Sequence, residues 1–158
     1  MPMFDMDACE LLDADHLAVK HLFVEYARLA TAMPQESAGD RQQIAMRICE
    51  ALTVHAQIEE EIFYPALREA VPEAADLLDE AEEEHQQAKD LIARIQASGS
   101  AGPEMDELVA ELAREIEHHV KEERDELFPK ARAGMPGQLG PLAEQLRERQ
   151  QALMAAAA

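Results

Sequence analysis

Two histidine–glutamate pairs have the most informative spacing in this sequence. His55 and Glu59 stand four residues apart, and so do His119 and Glu123. On a helix, residues i and i+4 lie on one face a turn apart, so both side chains of a pair can reach one point. Imidazole nitrogen and carboxylate oxygen together suit iron, manganese or zinc. The two pairs therefore predict a metal site between helices.

The two pairs belong to an internal repeat. A shift of 64 residues lays the second pair on the first, and it also lays Phe128-Pro129 on Tyr64-Pro65. Upstream, a shift of 69 residues lays Glu84-His85 on Asp15-His16. Each half therefore has one histidine on its first helix and a His-x-x-x-Glu pair on its second, as expected for two similar helical hairpins.

The segments that carry these residues have helical periodicity, and none alternates with period two over a useful length. Proline and glycine clusters separate them, and two similar hairpins commonly pack as an antiparallel bundle. The predicted fold is therefore all-α, an up-down antiparallel four-helix bundle with an additional C-terminal helix. The bundle is predicted over residues 8–133, the extra helix over 138–154 and a tail over 155–158. The four bundle helices are expected at roughly 8–33, 40–70, 73–97 and 103–133.

Pro65 and Pro129 fall inside helical patterns, near the ends of the second and fourth segments. Proline lacks a backbone donor, and its ring clashes with the carbonyl four residues back. Each proline is therefore expected to kink or end its helix.

Each bundle helix has an apolar seam at alternating three- and four-residue steps. One histidine interrupts every seam, and a glutamate follows one turn later in the second and fourth helices. Burying these groups without partners is costly, so six of them at a similar height indicate a common metal centre. Four imidazoles and two bridging carboxylates offer too many donors for one ion but suit two ions that share an oxo or hydroxo bridge. The candidate ligands are His16, His55, Glu59, His85, His119 and Glu123.

Several nearby residues receive other assignments. The seam and the repeat select His119 over its neighbour His118, which points about 100° away on an ideal helix. Tyr26 lies on the first seam and is a candidate contact of the metal cavity, whereas Tyr64 is assigned to packing. Lys89, one turn past His85, is the second candidate contact outside the ligand set.

Charge and cysteine content exclude other functions. With 33 acidic and 14 basic residues, the net charge of −19 opposes binding to nucleic acid and to anionic membranes. The first residues, 1–7, lack the pattern of a signal peptide, and no apolar run approaches the ~20 residues of a membrane span. Cys9 and Cys49 form no metal-binding spacing and are interpreted as reduced thiols. A cytoplasmic protein is expected.

At these residues the sequence resembles the hemerythrin-like, HHE cation-binding family. The match is carried by Val54–Pro65 and by His118–Glu123 followed by Glu126–Pro129, and it covers roughly residues 10–132. The resemblance implies an antiparallel four-helix bundle around a non-haem di-iron centre. It also implies that the six candidate residues are the ligands, with Glu59 and Glu123 bridging.

The sequence departs from the oxygen-carrying hemerythrins at two positions. They have a fifth histidine where this chain has Lys89, and their last carboxylate follows its histidine by five residues, whereas Glu123 follows His119 by four. The resemblance is therefore to bacterial members with four histidines and two glutamates, and reversible oxygen carriage is not expected. It implies a di-iron protein that reacts with dioxygen, peroxide or nitric oxide as a sensor, scavenger or weak catalyst. The Lys89 ammonium is a candidate for stabilising bound peroxide.

Other functions stay open at this level. The centre could store or donate iron, or the bundle could be a metal-free interaction module with incidental seam histidines. A ferritin-like site built on Glu82-x-x-His85 and Glu115-x-x-His118 is disfavoured because it leaves His16 and His55 unused. The C-terminal helix is a candidate surface for a protein partner or a second copy.

Overall fold

The structure, a computed structural model, describes residues 6–157, which are mostly helical and contain no strand. No helix in that part of the chain is long and apolar enough to cross a membrane. The last helix runs to Ala157, and the remaining tail residue, Ala158, lies outside the described residues, as does the start of the chain, 1–5. The helices are α1 (Ala8–Ala32), α2 (Ala38–Ile58), α3 (Tyr64–Ala70), α4 (Ala75–Ser98), α5 (Pro103–Glu122), α6 (Phe128–Gly134) and α7 (Leu139–Ala157).

The predicted four-helix bundle is confirmed. Within the hairpins α1 packs on α2 and α4 packs on α5, and between the hairpins α1 contacts α5 and α2 contacts α4. At the start of α1, Asp7 accepts a hydrogen bond from the Glu10 N–H, and the Glu10 side chain accepts one from the Asp7 N–H. This reciprocal cap satisfies two backbone donors and sets where the first helix begins.

A single π-helical turn interrupts each helix that carries a histidine–glutamate pair. One turn spans Glu59–Phe63 and leads into α3, and the other spans Glu123–Leu127 and leads into α6. Both turns therefore begin at a predicted metal ligand. Such turns are rare and are frequently found at functional sites.

The π-turns explain a run of buried positions that an ideal helix would not keep on one face. His55, Glu59, Phe63 and Leu67 are all buried, although they follow one another at four-residue steps. With 3.6 residues per turn, each such step rotates by about 40° away from the core, and a wider turn offsets part of that rotation. The same spacing recurs at 119, 123, 127 and 131.

The prediction that the two prolines distort their helices agrees with the π-turns that precede them. Pro65 and Pro129 each occupy the second position of the helix that follows the π-turn. The carbonyl with which each proline ring would clash belongs to the residue four back, Glu61 or Asp125, and both of these residues lie in the π-turns. The distortion therefore falls in the turn before each proline.

The core consists of two apolar clusters, one on each side of the predicted ligands. One cluster includes Phe63 and Phe128 and continues into α7, and the other includes Ile48 and Leu112 toward the opposite end of the bundle. The apolar face of α7 packs on the bundle through Leu139, Leu142, Ala143 and Leu146. These four residues are therefore covered by the chain itself rather than offered to a partner.

We expect both cysteines to be inert in the folded protein. Cys9 and Cys49 are buried, and burial raises the pKa of the Cys9 thiol to about 12 and that of Cys49 to about 11. Because the thiolate is the reactive form, a disulfide reagent added at neutral pH should label neither cysteine until denaturant is present. Stoichiometric labelling of the native protein within minutes would contradict this expectation.

Candidate metal centre

Four structural elements direct the six predicted ligands toward the middle of the bundle. The histidines come from α1, α2, α4 and α5, and each glutamate is the first residue of a π-turn. Glu59 and Glu123 have no exposed surface, and each of the four histidines is at least 92% buried. The six residues are His16, His55, Glu59, His85, His119 and Glu123.

The histidines form two pairs whose Nε2 atoms face each other. The Nε2 atoms of His16 and His55 are 3.1 Å apart, as are those of His85 and His119. Two nitrogen ligands at right angles on one ion, each bonded at about 2.1 Å, would be about 3.0 Å apart. Each pair is therefore spaced like two neighbouring ligands of a single cation.

Each glutamate connects the two histidine pairs. Glu59 Oε1 lies 3.4 Å from His55 Nε2 and 3.1 Å from His85 Nε2. Glu123 Oε1 lies 3.1 Å from His16 Nε2 and 3.4 Å from His119 Nε2. Two donor groups result, and Glu59 belongs to both. The groups are His16, His55, Glu59 and Glu123 on one side, and Glu59, His85 and His119 on the other.

In every one of the four histidines, Nδ1, the ring nitrogen that faces away from the cluster, is hydrogen-bonded to a carboxylate. His16 Nδ1 donates to Asp13 at 3.1 Å and His55 Nδ1 to Asp15 at 3.1 Å. Because a carboxylate only accepts, Nδ1 carries a proton, and Nε2 is the nitrogen that faces the centre and can bind a metal once it is deprotonated. This arrangement is typical of metal-binding histidines, whose other nitrogen is bonded to an acceptor. The second pair follows the same rule, His85 with Glu60 at 2.8 Å and His119 with Glu84 at 2.8 Å.

Two buried carboxylate oxygens in the cluster are left without a hydrogen bond. Within the described residues, neither Glu59 Oε2 nor Glu123 Oε1 has a hydrogen-bond partner. Glu123 Oε1 is close to His16 Nε2 but without the alignment of a hydrogen bond. An unsatisfied buried carboxylate oxygen is costly, and a metal ion removes that cost. The donor set therefore fits metal binding.

The electrostatics of the cluster indicate that positive charge is needed there. Burial alone would raise the pKa of Glu59, but the neighbouring His55 holds it well below its usual range. Burial and the charge of Glu59 raise the pKa of Glu123. Burial would lower the pKa of His119, yet the Glu123 charge and bonds to Glu59 and Glu84 raise it to about 10. Protons on the imidazoles thus balance the buried carboxylates in the metal-free chain.

Tyr64 is a member of the cluster that the sequence interpretation assigned to packing. Its hydroxyl donates to Glu123 Oε2 at 3.1 Å and lies 3.3 Å from His119 Nε2 and 3.4 Å from His85 Nε2. The repeat contained a signal, because the equivalent residue is Phe128, which lacks a hydroxyl. Only one half of the centre therefore has a phenol beside it.

The structure places Tyr26 away from the ligands, so its predicted contact with the cavity is wrong. Its hydroxyl donates to Asp106 at 2.6 Å, and the same Asp106 oxygen accepts a short hydrogen bond from Arg41 Nη1 at 2.5 Å. Burial and this carboxylate raise the Tyr26 pKa. Arg41 is itself buried, and Tyr26 therefore closes a polar network that joins α1 to α2 and α5.

Lys89 is connected to the centre through one carboxylate. Its Nζ lies 2.9 Å from Glu60 Oε1, while Glu60 Oε2 accepts from His85 Nδ1. Arg124 has the matching place in the other half, donating to Asp13 at 2.7 Å. Each of these cations therefore orients a carboxylate that orients a histidine. Sequence reasoning did not identify the four carboxylates that bond to the histidines, which are Asp13, Asp15, Glu60 and Glu84. Two of them had a signal in the repeat, because Asp15 and Glu84 are the acidic residues directly before His16 and His85.

A helical bundle with four histidines and two glutamates buried at its centre defines a class of cation-binding helical proteins. Residues 7–131 match the sequence profile of the hemerythrin HHE cation-binding domain. The chain therefore belongs to the hemerythrin HHE cation-binding domain family, and the predicted resemblance is confirmed.

Two individual proteins are similar to this chain. A DNA nickase from Nostoc sp. (strain PCC 7120) is 31% identical over 127 residues, which are 78% of this chain and 33% of that protein. The chain thus spans about a third of the length of this curated relative. The crystal structure of a hemerythrin HHE cation-binding domain-containing protein from Mycobacterium kansasii has a TM-score of 0.77 at 22% identity, covering 96% of this chain and 90% of the other. At that identity the similarity concerns the fold.

Proposed function

We propose that the six clustered residues hold two iron ions and that the centre reacts with a small oxidant, namely dioxygen, hydrogen peroxide or nitric oxide. Two donor groups that share Glu59 support two ions rather than one. In the ferrous state two iron ions supply two electrons, the number that converts hydrogen peroxide and two protons into two water molecules. The two carboxylates offset half of the four positive charges of such a pair.

The observation that carries the proposal is a small cavity against the four histidine rings. It measures about 30 Å³ and is lined by all four rings together with apolar side chains such as Leu52, Ile92 and Ile116. A single water molecule needs at least ~10–15 Å³ on this scale. A space of this size suits a ligand of two or three non-hydrogen atoms and excludes an ordinary metabolite.

The residues around the cavity have distinct roles in the proposed reaction. The apolar side chains of Leu52, Ile92 and Ile116 line the cavity and would keep bulk water away from ions held by the four histidines. The Nδ1 hydrogen bonds keep each ring in one orientation. The Tyr64 hydroxyl, bonded to Glu123 Oε2, is a proton donor at the edge of the centre.

Two other functions have weaker support. A metal-free interaction bundle leaves the orphaned oxygens of Glu59 and Glu123 unexplained. DNA nicking is the activity in the name of the Nostoc relative, of which this chain spans about a third, and a net charge of −19 opposes contact with a phosphate backbone. We therefore do not extend that activity to this chain.

The test is to mix the anaerobically reduced, iron-loaded protein with each oxidant and follow the visible iron bands by stopped flow. We expect at least one oxidant to react faster than it does with the same concentration of free ferrous iron. We also expect Ile116→Trp, which narrows the cavity and removes no ligand, to slow that reaction while iron content is retained. If all three oxidants react no faster than with free iron, the proposal fails, and iron storage or donation becomes the preferred function.

We expect Tyr64→Phe to weaken metal binding at the His85 and His119 side of the centre by about tenfold, the lower range for loss of a group that supports a ligand. The hydroxyl contacts atoms of both histidines and both glutamates, so its loss removes the donor that orients Glu123. Competition with a chelator measures the affinity. Tyr26→Phe is the matched control, because that hydroxyl bonds to Asp106 instead. Equal affinity in the two variants would contradict the assignment of Tyr64.

A further inference from the structure

The surface where α4 meets α5 carries a second group of donor atoms outside the buried centre. His118 Nε2 lies 3.3 Å from Glu84 Oε2 and 3.1 Å from Glu122 Oε1. These three donor atoms lie within 4.8 Å of one another. His118 is exposed and the two glutamates are partly buried, so the group is open to ions in solution. The proposed function uses neither His118 nor Glu122.

The distances in this surface group fit a tetrahedral ion. Bonds of about 2.0–2.1 Å at tetrahedral angles place neighbouring donor atoms about 3.3 Å apart. The two distances from His118 Nε2 agree with that value. His118 and Glu122 stand at i and i+4, and Glu84 approaches from the facing helix. The three donor atoms therefore come from two helices, α4 and α5, and converge on one position at the surface.

Glu115 adds an independent observation at the same place. It precedes His118 by one turn, and its Oε2 atom is buried with no hydrogen-bond partner in the described part of the chain. Burial raises the pKa of Glu115, and so do the charges of Glu111 and Glu84. Glu115, Glu84 and His118 line one pocket of about 200 Å³. Glu115 as a whole is only partly buried, but its buried oxygen beside a histidine and a second carboxylate would be satisfied by a cation bound there.

We propose that Glu84, His118 and Glu122, with Glu115 as the fourth donor, bind one divalent cation of the zinc type at the α4–α5 surface. One imidazole and several carboxylates suit Zn²⁺, which prefers four ligands in tetrahedral geometry. The site does not depend on the identity of the buried metal. It is coupled to the buried centre, because Glu84 Oε1 accepts from His119 Nδ1 at 2.8 Å while Glu84 Oε2 faces His118.

The experiment is a calorimetric titration of the folded, iron-loaded and desalted protein with Zn²⁺ alone. We expect wild-type protein to bind one equivalent that His118→Ala and Glu122→Gln lose or bind at least about tenfold more weakly, since even indirect support of a ligand is worth that much. His21→Ala and Glu117→Gln remove an exposed histidine and an exposed glutamate elsewhere and should titrate like wild type.

Variants of the buried centre separate this proposal from the proposed function. His55→Ala alters only the buried cluster, so the equivalent that depends on His118 should persist in it; if His55→Ala does not fold, Glu59→Gln serves the same purpose. Failure of the buried centre to hold iron would leave the comparison of His118→Ala with His21→Ala intact. The surface site is overturned if wild-type protein binds no Zn²⁺ equivalent that His118→Ala lacks.

Discussion

Replacing Glu59 with glutamine is expected to reduce the metal content from the proposed two ions per chain to well below one, because an amide is a poor ligand where a carboxylate is needed. The effect should be the largest of any single substitution, since Glu59 belongs to both donor groups. Its Oε1 is within 3.4 Å of a histidine nitrogen in each pair. Elemental analysis of protein purified in parallel with wild type measures the loss.

The same substitution should abolish the stabilisation that metal provides. A ligand that binds only the folded state at a hundredfold excess over its Kd contributes about 2.7 kcal/mol. We therefore expect added ferrous iron to raise the free energy of unfolding of wild-type protein by about that amount and to leave Glu59→Gln nearly unchanged. Glu61→Gln is the matched control, because Glu61 lies in the same π-turn but pairs with Arg149 on α7. Wild-type iron content in Glu59→Gln would refute the bridging role.

Metal binding is expected to release protons and to weaken steeply as the pH falls. Burial would lower the pKa values of His55 and His85, but Glu59 and the outer carboxylates raise both, and the pKa of His119 rises to about 10. Below those pKa values an imidazole of the metal-free chain carries an extra proton that a metal ion must displace. Affinity should therefore increase with pH up to the raised values, and decrease by about tenfold per unit of falling pH for each displaced proton.

Calorimetry in buffers of different protonation enthalpy measures the number of protons released. Imidazoles with the ordinary pKa of about 6.5 would release almost none at about pH 8, whereas the raised values predict one or more per metal-loading event. A control with Tyr26→Phe should release the same number, since that residue bonds to Asp106 away from the ligands. An affinity that does not change between about pH 7 and about pH 9 would show that the cluster is unprotonated before metal arrives.

The helices and the identity of the inward-facing histidines are readable from the sequence. His55 and Glu59 share a face because four residues make about one helical turn, and the internal repeat places His119 and Glu123 in the same relation. These are local consequences of helix geometry, so they hold before any tertiary contact is known. The extra helix after residue 138 was also predictable from its leucine spacing.

The carboxylates that accept hydrogen bonds from the histidines could not be predicted from the sequence. Among 33 acidic residues, nothing local shows that Glu60 reaches across from the second bundle helix to His85 while His16 uses Asp13 in its own helix. Arg124 stands at the repeat position of Glu60 and explains the difference, because it donates to Asp13 instead. Such choices depend on how the two hairpins approach each other.

By itself, the sequence determined that this chain forms helices with six candidate ligand side chains on their inner faces, because helical periodicity acts within a few residues. Only the tertiary structure decided that Tyr64 joins the centre while Tyr26 bonds to Asp106. Tyr26, on the first seam, and Tyr64, assigned to packing, meet different polar groups because the packing of the neighbouring helices decides which side chains surround each hydroxyl. The π-turns at Glu59 and Glu123 were likewise not predicted, since the wider turn keeps residues at four-residue steps buried only where partner helices cover that face.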